Sequence, residues 1–254
     1  MNLEERRRLA DANVVGAFSL AQERFGDPRS ERARFGTVEV VAIGVDVAFY
    51  NPVLALDPAS RPDDVLEAIA WVEGKGLPVS VQVRADVDPG VREVVEALGM
   101  VADPWATPVM VLEPIPPGPS APPGIVITIG GAELFDDWHA ALGSGETFRR
   151  VFGPAMVADP SVRLAVGYLA GEPVSGAAAI RTERTIGVYA VGTVKGARRR
   201  GIGRAVTWAA IDAGRAAWGG SIAILQSSEM GVSVYQSMGF EEVSRYIGFE
   251  RPKG

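Results

Sequence analysis

Residues 188–205 read VYAVGTVKGARRRGIGRA, and their reading decides the rest. Val188 to Val194 alternate in the manner of a strand, a short basic turn follows, and from Ile202 the apolar residues recur at helical spacing. A strand, a glycine-containing turn and a helix start in immediate succession make an anion site. The N–H groups of the turn and first helical turn converge on one spot, and the positive end of the helix favours a phosphate there. Gly201 and Gly203 let the backbone come close to a ligand, and Arg198, Arg199, Arg200 and Arg204 add charge. From the residues alone the segment reads equally as a solvated basic loop whose glycines serve only the turn.

Outward from this segment, residues 202–218 form the strongest helix, with Ile202, Val206, Ala209, Ala213 and Ala217 on one stripe and Gly219-Gly220 as its stop. Residues 221–226 are a strand to which that helix crosses back. Upstream, residues 162–169 and 174–181 are antiparallel strands about the turn Gly171-Glu172-Pro173, and 186–194 is a third. Residues 132–141 and 146–152 read as short helices, 233–238 as another, and 246–250 as a closing strand. Six of the twelve residues in 113–124, EPIPPGPSAPPG, are proline, so neither helix nor central strand continues there. The expected organisation is a first domain over 1–113, a Pro-rich linker over 114–124 and a second domain over 125–254. The first half reads as a helix over 3–26, extended segments at 37–43 and 45–56, a helix from Arg61 to Gly74, a strand at 77–83, a helix opened by Asp88-Pro89 and a strand at 107–112.

Composition sets the outer limits. The chain has 254 residues, with 47% hydrophobic and 22% charged, enough for two globular domains. Net charge is −6, the wrong sign for a protein whose main partner is nucleic acid. Cysteine is absent and His139 is the single histidine, which leaves no thiolate or histidine-cluster metal site. The charged start, MNLEERRRLADA, has no apolar core after it, so neither signal peptide nor membrane span is expected and the cytoplasm is the default.

The spacing Arg198-x-x-Gly201-x-Gly203, after a strand and before a long amphipathic helix, resembles the acyl-CoA motif of the GNAT superfamily of N-acyltransferases. Leu225-Gln226-Ser227-Ser228 followed by Val234-Tyr235 and Gly239-Phe240 resembles that family's next motif, and the resemblance covers residues 125–252. It implies an α+β fold (α/β in its crossover), a mixed, mostly antiparallel central sheet flanked by helices, in two tandem domains, the first (1–113) a degenerate GNAT-like half without the acyl-CoA motif. It implies acetyl-CoA as co-substrate and a small-molecule or peptide amine as acceptor; net charge and the lack of an apolar span argue for no nucleic-acid or membrane partner, and a homodimer stays open. By the same resemblance Val191, Gly192 and Thr193 lie where strands splay to bind pantetheine and the acyl carbonyl. Arg198, Arg199, Arg200, Gly201, Ile202, Gly203 and Arg204 cover the pyrophosphate loop. Ser228 stands where asparagine is common, and Tyr235 at the usual general acid.

A phenol is able to hand a proton to a leaving thiolate, and a free N–H near Val191 is suited to a developing oxyanion. No carboxylate lies on 186–194 to act as base. Glu183 falls at the hairpin tip, and His139 has the right intrinsic pKa but reads as well as a packed residue beside Trp138. Tyr189 either lines the pocket or fills the core. Setting Gly99 on Gly239 lays REVVEALGM over VSVYQSMGF, with Val95 in place of Tyr235, a match that fits chance as well as an old duplication. The expected function is N-acetyl transfer by the second domain. The alternative is an acyl-CoA-binding sensor or structural module without turnover.

Overall fold

The computed structural model describes residues 1–252. In chain order the first half holds α1 (Leu3–Phe25), β1 (Glu31–Phe35), β2 (Val38–Ala42), β3 (Pro52–Ala55), α2 (Pro62–Glu73), β4 (Ser80–Arg84), α3 (Pro89–Ala97), β5 (Val101–Ala102) and β6 (Thr107–Leu112). The second holds β7 (Ile125–Gly130), α4 (Phe135–Leu142), α5 (Glu146–Val151), α6 (Pro154–Val157), β8 (Val162–Leu169), β9 (Glu172–Thr182), β10 (Thr185–Thr193), α7 (Ile202–Trp218), β11 (Ala223–Gln226), α8 (Val232–Ser237) and β12 (Glu241–Glu250). Helix ends follow local chemistry. The Asn2 side chain accepts from Glu5 N at 2.8 Å to open α1, and Asp88 accepts from Gly90 N at 2.8 Å to open α3 behind Pro89.

Two compact units result. The first comprises Met1–Val109, Ser227–Glu229 and Glu242–Gly254; the second comprises Met110–Gln226 and Met230–Glu241. This corrects the expected boundaries at 113 and 125. The last strand, β12, pairs antiparallel with β4 and β5 and so completes the first unit's sheet, in the order β1-β2-β3-β4-β12. In the second unit the order is β6-β11-β10-β9-β8-β7, with Met110–Leu112 of β6 beside β11. Thus β12, although it follows α8 near the end of the chain, belongs to the first unit's sheet, and the second half of β6, although it precedes the prolines, belongs to the second unit's. The 114–124 stretch carries neither helix nor strand.

The sheets are mixed and mostly antiparallel. Parallel pairing occurs at β3–β4 and β10–β11, where α2 and α7 cross over. The first core packs Val65, Ile69 and Val72 of α2 and Val91 and Val95 of α3 on Val53, Val81, Val83 and Phe249. The second packs Val206, Ala210 and Ile211 of α7 on Ala177, Ala179, Ile186 and Val188. Asn51 is fully buried, and its amide donates to the carbonyls of Val45, Val47 and Pro78. That is a turn staple.

One buried charge cluster ties the first unit together. Asp11 of α1 accepts from the Tyr246 hydroxyl at 2.6 Å and from Arg84 Nη1 at 2.7 Å, and buried Arg84 also bonds Asp86 at 2.6 Å. Burial dominates at Asp11 and pushes its carboxyl up from 3.8 to about 6, against the pull of Tyr246 and Arg84. A carboxyl raised on folding binds its proton more tightly in the native state, so this group's contribution to stability falls as pH rises through 6. Asp11→Asn has no such titration. In urea unfolding at pH 4 and pH 8, the stability difference between variant and wild type is expected to move toward the variant by about 2 kcal/mol over that range. A difference that stays constant, or moves the other way, contradicts the assignment.

Candidate active site

The site is built on a defect in β10. Tyr189 sits opposite Ala178 and Gly192 opposite Gly176, so three steps on β10 meet two on β9, and Ala190 takes φ +50° to make the bulge. On the other side, pairing with β11 stops after Ile186↔Ala223 and Gly187↔Ile224. From Val188 onward β10 has an open edge, at the residues expected to splay. Its end is pinned. Ser175 Oγ donates to Gly192 O at 2.8 Å and meets Thr193 Oγ1 at 2.8 Å, while Val194 N donates to Val174 O at 2.9 Å. Helix α4 lies directly above: a Cβ on Gly192 would come within 2.8 Å of Leu142 Cδ2.

Beyond Thr193, a single 3-10 turn (Lys195–Ala197) leads into the loop. Arg198 Nε donates to Thr193 O at 2.9 Å, which closes the loop onto the strand end. Arg199 has φ +61° and Gly201 φ +76°, left-handed conformations flanking Arg200, and α7 begins at Ile202 with no side-chain cap. Such a run turns successive N–H groups to one side. None of the backbone N–H groups from Arg199 to Arg204 donates to a protein group among the described residues. The first intrahelical bond is Ala205 N to Gly201 O, 3.0 Å. Arg199, Arg200 and Arg204 are exposed and form no ion pair among the described residues. A Cβ on Gly203 would stand 3.1 Å from Thr193 Oγ1, so loop, helix head and strand end are in close contact.

The structure thus brings together Gly192, Thr193, Arg198, Gly201 and Gly203. Val191 packs against the apolar cluster that contains Tyr235. Tyr235 itself, on α8, is 9% exposed, stacks edge-on with Phe240 at 5.9 Å, and its hydroxyl has no protein partner among the described residues. Burial alone pushes this phenol up to about 12. Ser228 behaves differently: it is exposed, falls within the first unit, and accepts at its carbonyl from Ser227 Oγ at 2.8 Å.

His139 is a packing residue. It is 3% exposed, its Nδ1 lies 2.6 Å from Ser144 Oγ and its Nε2 3.1 Å from Phe152 O, and the rings of Phe135, Trp138 and Phe148 surround it. A carbonyl opposite Nε2 assigns the proton there, so the Nδ1 lone pair is spent on Ser144. Burial lowers its pKa and keeps it neutral. Glu183 occupies the β9–β10 turn with φ +46°, at the end of the hairpin away from the bulge. Two contributors escaped sequence reading. Ser175 pins the bulge, and Gln226 bonds Tyr189; the alternation of Ala223 and Leu225 on the α7 face with buried Ile224 and Gln226 on the other was the available signal for the second.

Comparison with known proteins agrees with this geometry. Residues 139–250 match the family model described as acetyltransferase (GNAT) domain. Among solved structures, a GCN5-related N-acetyltransferase from Kribbella flavida is 22% identical, covers 96% of both chains and has a TM-score of 0.73. A tandem GNAT protein from the clavulanic acid biosynthesis pathway is 14% identical over 94% of this chain and 88% of its own, at 0.62. A GCN5-related N-acetyltransferase-like protein from Streptococcus suis is 13% identical over 99% and 100%, also at 0.62. No curated protein is significantly similar to the chain. No helix among the described residues is long and apolar enough to cross a membrane. The bulged strand, the basic left-handed turn and the crossover helix all lie inside residues 139–250, the part of the chain that matches the GNAT acetyltransferase domain model.

Proposed function

We propose that the second unit is an N-acetyltransferase that takes an acetyl group from acetyl-CoA and passes it to a primary amine. The observation that carries this reading is the row of six N–H groups, Arg199 to Arg204, left without acceptors among the described residues at the head of a seventeen-residue helix. A pyrophosphate suits that donor set: its oxygens accept from several N–H groups at once, and the helix end and three unpaired arginines supply positive potential. When bound, the thioester supplies an activated acyl carbon. The open edge of β10 about Val191 offers backbone N–H groups to the charge that builds on its oxygen, and Gly192 under Leu142 leaves no side chain in the way.

Tyr235 serves the sulfur. A phenol at about 12 stays fully protonated at working pH, yet it is a weaker acid than a thiol near 8.5, so handing over its proton outright is uphill. The Tyr235 hydroxyl therefore donates a hydrogen bond to the departing sulfur and passes its proton on only as it regains the proton shed by the attacking nitrogen. An N–C bond forms, a C–S bond breaks, and the phenol ends as it began. The missing carboxylate on β10 favours a second reading, a CoA-binding sensor without turnover, and Tyr235 separates the two.

Calorimetric titration of acetyl-CoA is expected to show binding that weakens with added salt. Gly201→Ala, which forces a side chain into the left-handed region at a cost of about 1–2 kcal/mol, is expected to lower the thermal midpoint by a few degrees and, as the turn relaxes and its amides diverge, to weaken binding about tenfold. Absence of binding to the wild type overturns the reading. Tyr235→Phe is expected to keep acetyl-CoA affinity while lowering the rate of transfer by about 10²–10⁴-fold. In the wild type, ionisation of Tyr235 is not expected to depress the rate between pH 8 and pH 10, as an ordinary phenol would. Unchanged turnover in Tyr235→Phe contradicts the role.

A further inference from the structure

The proline-rich stretch expected to link two domains lies wholly inside the second unit and is fastened along α7. Near its start Ile115 is buried in the second core, its N–H donates to Ser221 O at 3.1 Å, and its carbonyl accepts from Arg215 Nη1 at 3.3 Å. Three residues on, Gly118 lies against the middle of the helix: a Cβ there would stand 2.8 Å from Asp212 Oδ2 and 3.3 Å from Trp208 Cβ. At the far end, Pro122 Cγ is 3.5 Å from the place a Gly201 Cβ would take, at the head of α7. The segment therefore runs antiparallel to the helix, from its last turn to its first.

Its length fits that path without slack. The helix rises ~21 Å from Gly201 to Arg215, and an extended proline-rich chain covers ~22 Å from Ile115 to Pro122. Pro116, Pro117 and Pro119 fix φ, so holding the chain extended costs little entropy. A tight turn ends it: Ile125 N donates to Pro122 O at 3.1 Å, and Gly124 takes φ +79° behind Pro123, the signature of a type II turn. Ile125 then packs with Leu169 and Val194 on buried Val174, Ala197 and Ile202. Ala197 and Ile202 are the residues on either side of the arginine loop 198–201, so Ile125 joins the cluster that holds both loop ends while Pro122 meets the loop itself at Gly201. A left-handed run whose amides make no bonds among the described residues takes its shape from such neighbours.

We propose that residues 115–125 brace the anion loop, with Pro122 and the turn it opens as positioning residues that keep the amides of Arg199 to Arg204 converged before a ligand arrives. The inference rests on the acyl-CoA reading above for its ligand, while the brace itself is a property of the free protein. A loop already held in its binding shape spares the ordering entropy that binding would otherwise cost.

The test uses the full chain. Trypsin attacks a segment when it opens, so cleavage after Arg198, Arg199 and Arg200 in the free protein reads how firmly the loop is held. A Gly-Ser insertion after exposed Ser120 adds ~7 Å of slack between the Gly118 contact and the turn. It is expected to speed that cleavage at least about tenfold, leave cleavage elsewhere in the chain unchanged, and weaken acetyl-CoA binding in calorimetry about tenfold. The same insertion after Glu183, in the β9–β10 turn, controls for lost stability and is expected to change neither reading. Pro123→Gly frees φ in the turn at unchanged length; it is expected to act in the same direction by about threefold, and it decides the outcome where the Ser120 insertion does not fold. Loop cleavage in the Ser120 insertion that matches the wild type or the Glu183 control overturns the brace, as does faster cleavage with undiminished acetyl-CoA affinity. Absence of acetyl-CoA binding to the wild type overturns the acyl-transfer reading instead, and cleavage of the free protein still decides the brace.

Discussion

Six backbone N–H groups that find no partner among the described residues are a concentrated positive potential, and the second unit is arranged to keep them that way. The left-handed residues Arg199 and Gly201 turn the amides to one side, the Arg198–Thr193 bond shuts the loop against the strand, and α7 behind them adds its dipole. A side chain cap on α7 would satisfy some of these donors and abolish the site; Gly201 at that position offers none. What stabilises the fold is elsewhere, in the packing of α7 on Ile186, Val188, Ala177 and Ala179. The unpaired donors are tolerated because that helix is held by its apolar face.

The same division of labour governs β10. Up to Gly187 it is an ordinary inner strand with partners on both sides, and past the bulge it is an edge whose amides are available. One strand thus anchors in the core and opens at the site, with Ser175 fixing the break and α4 pressing on it through Gly192. Burial tunes both tyrosines in one direction. Tyr189 and Tyr235 are held as neutral phenols, so the site works with hydrogen bonds and backbone dipoles rather than with ionised side chains.

Much of this was legible from sequence because it is local. The stripe of α7 and its Gly219-Gly220 stop gave the helix to the residue, and the β9–β10 hairpin followed from alternation and its two-residue turn. What was not legible is long-range or polar. Strand β1, ERARF, is charged and exposed and has no apolar face to announce it; β7, directly after the prolines, is an edge strand with Val126 and Ile129 exposed; and the first half of β12, EEVSR, reads as loop. The exchange of final strands between the units depends on pairings such as Tyr246↔Arg84, far apart in sequence, and no local pattern encodes it. Between base and packed residue, His139 was not decidable from sequence, because its partners, Ser144 Oγ and Phe152 O, become neighbours only when α4 and α5 fold together.

The central claim is that the amides of Arg199 to Arg204 hold the phosphates of an acyl-CoA. Nitrogen–proton correlation spectra of the protein titrated with acetyl-CoA test it most directly. The account predicts that the largest shift changes fall on those six amides, with Val191 to Thr193 next and His139 unmoved. Saturable binding that leaves the 199–204 amides in place would contradict it.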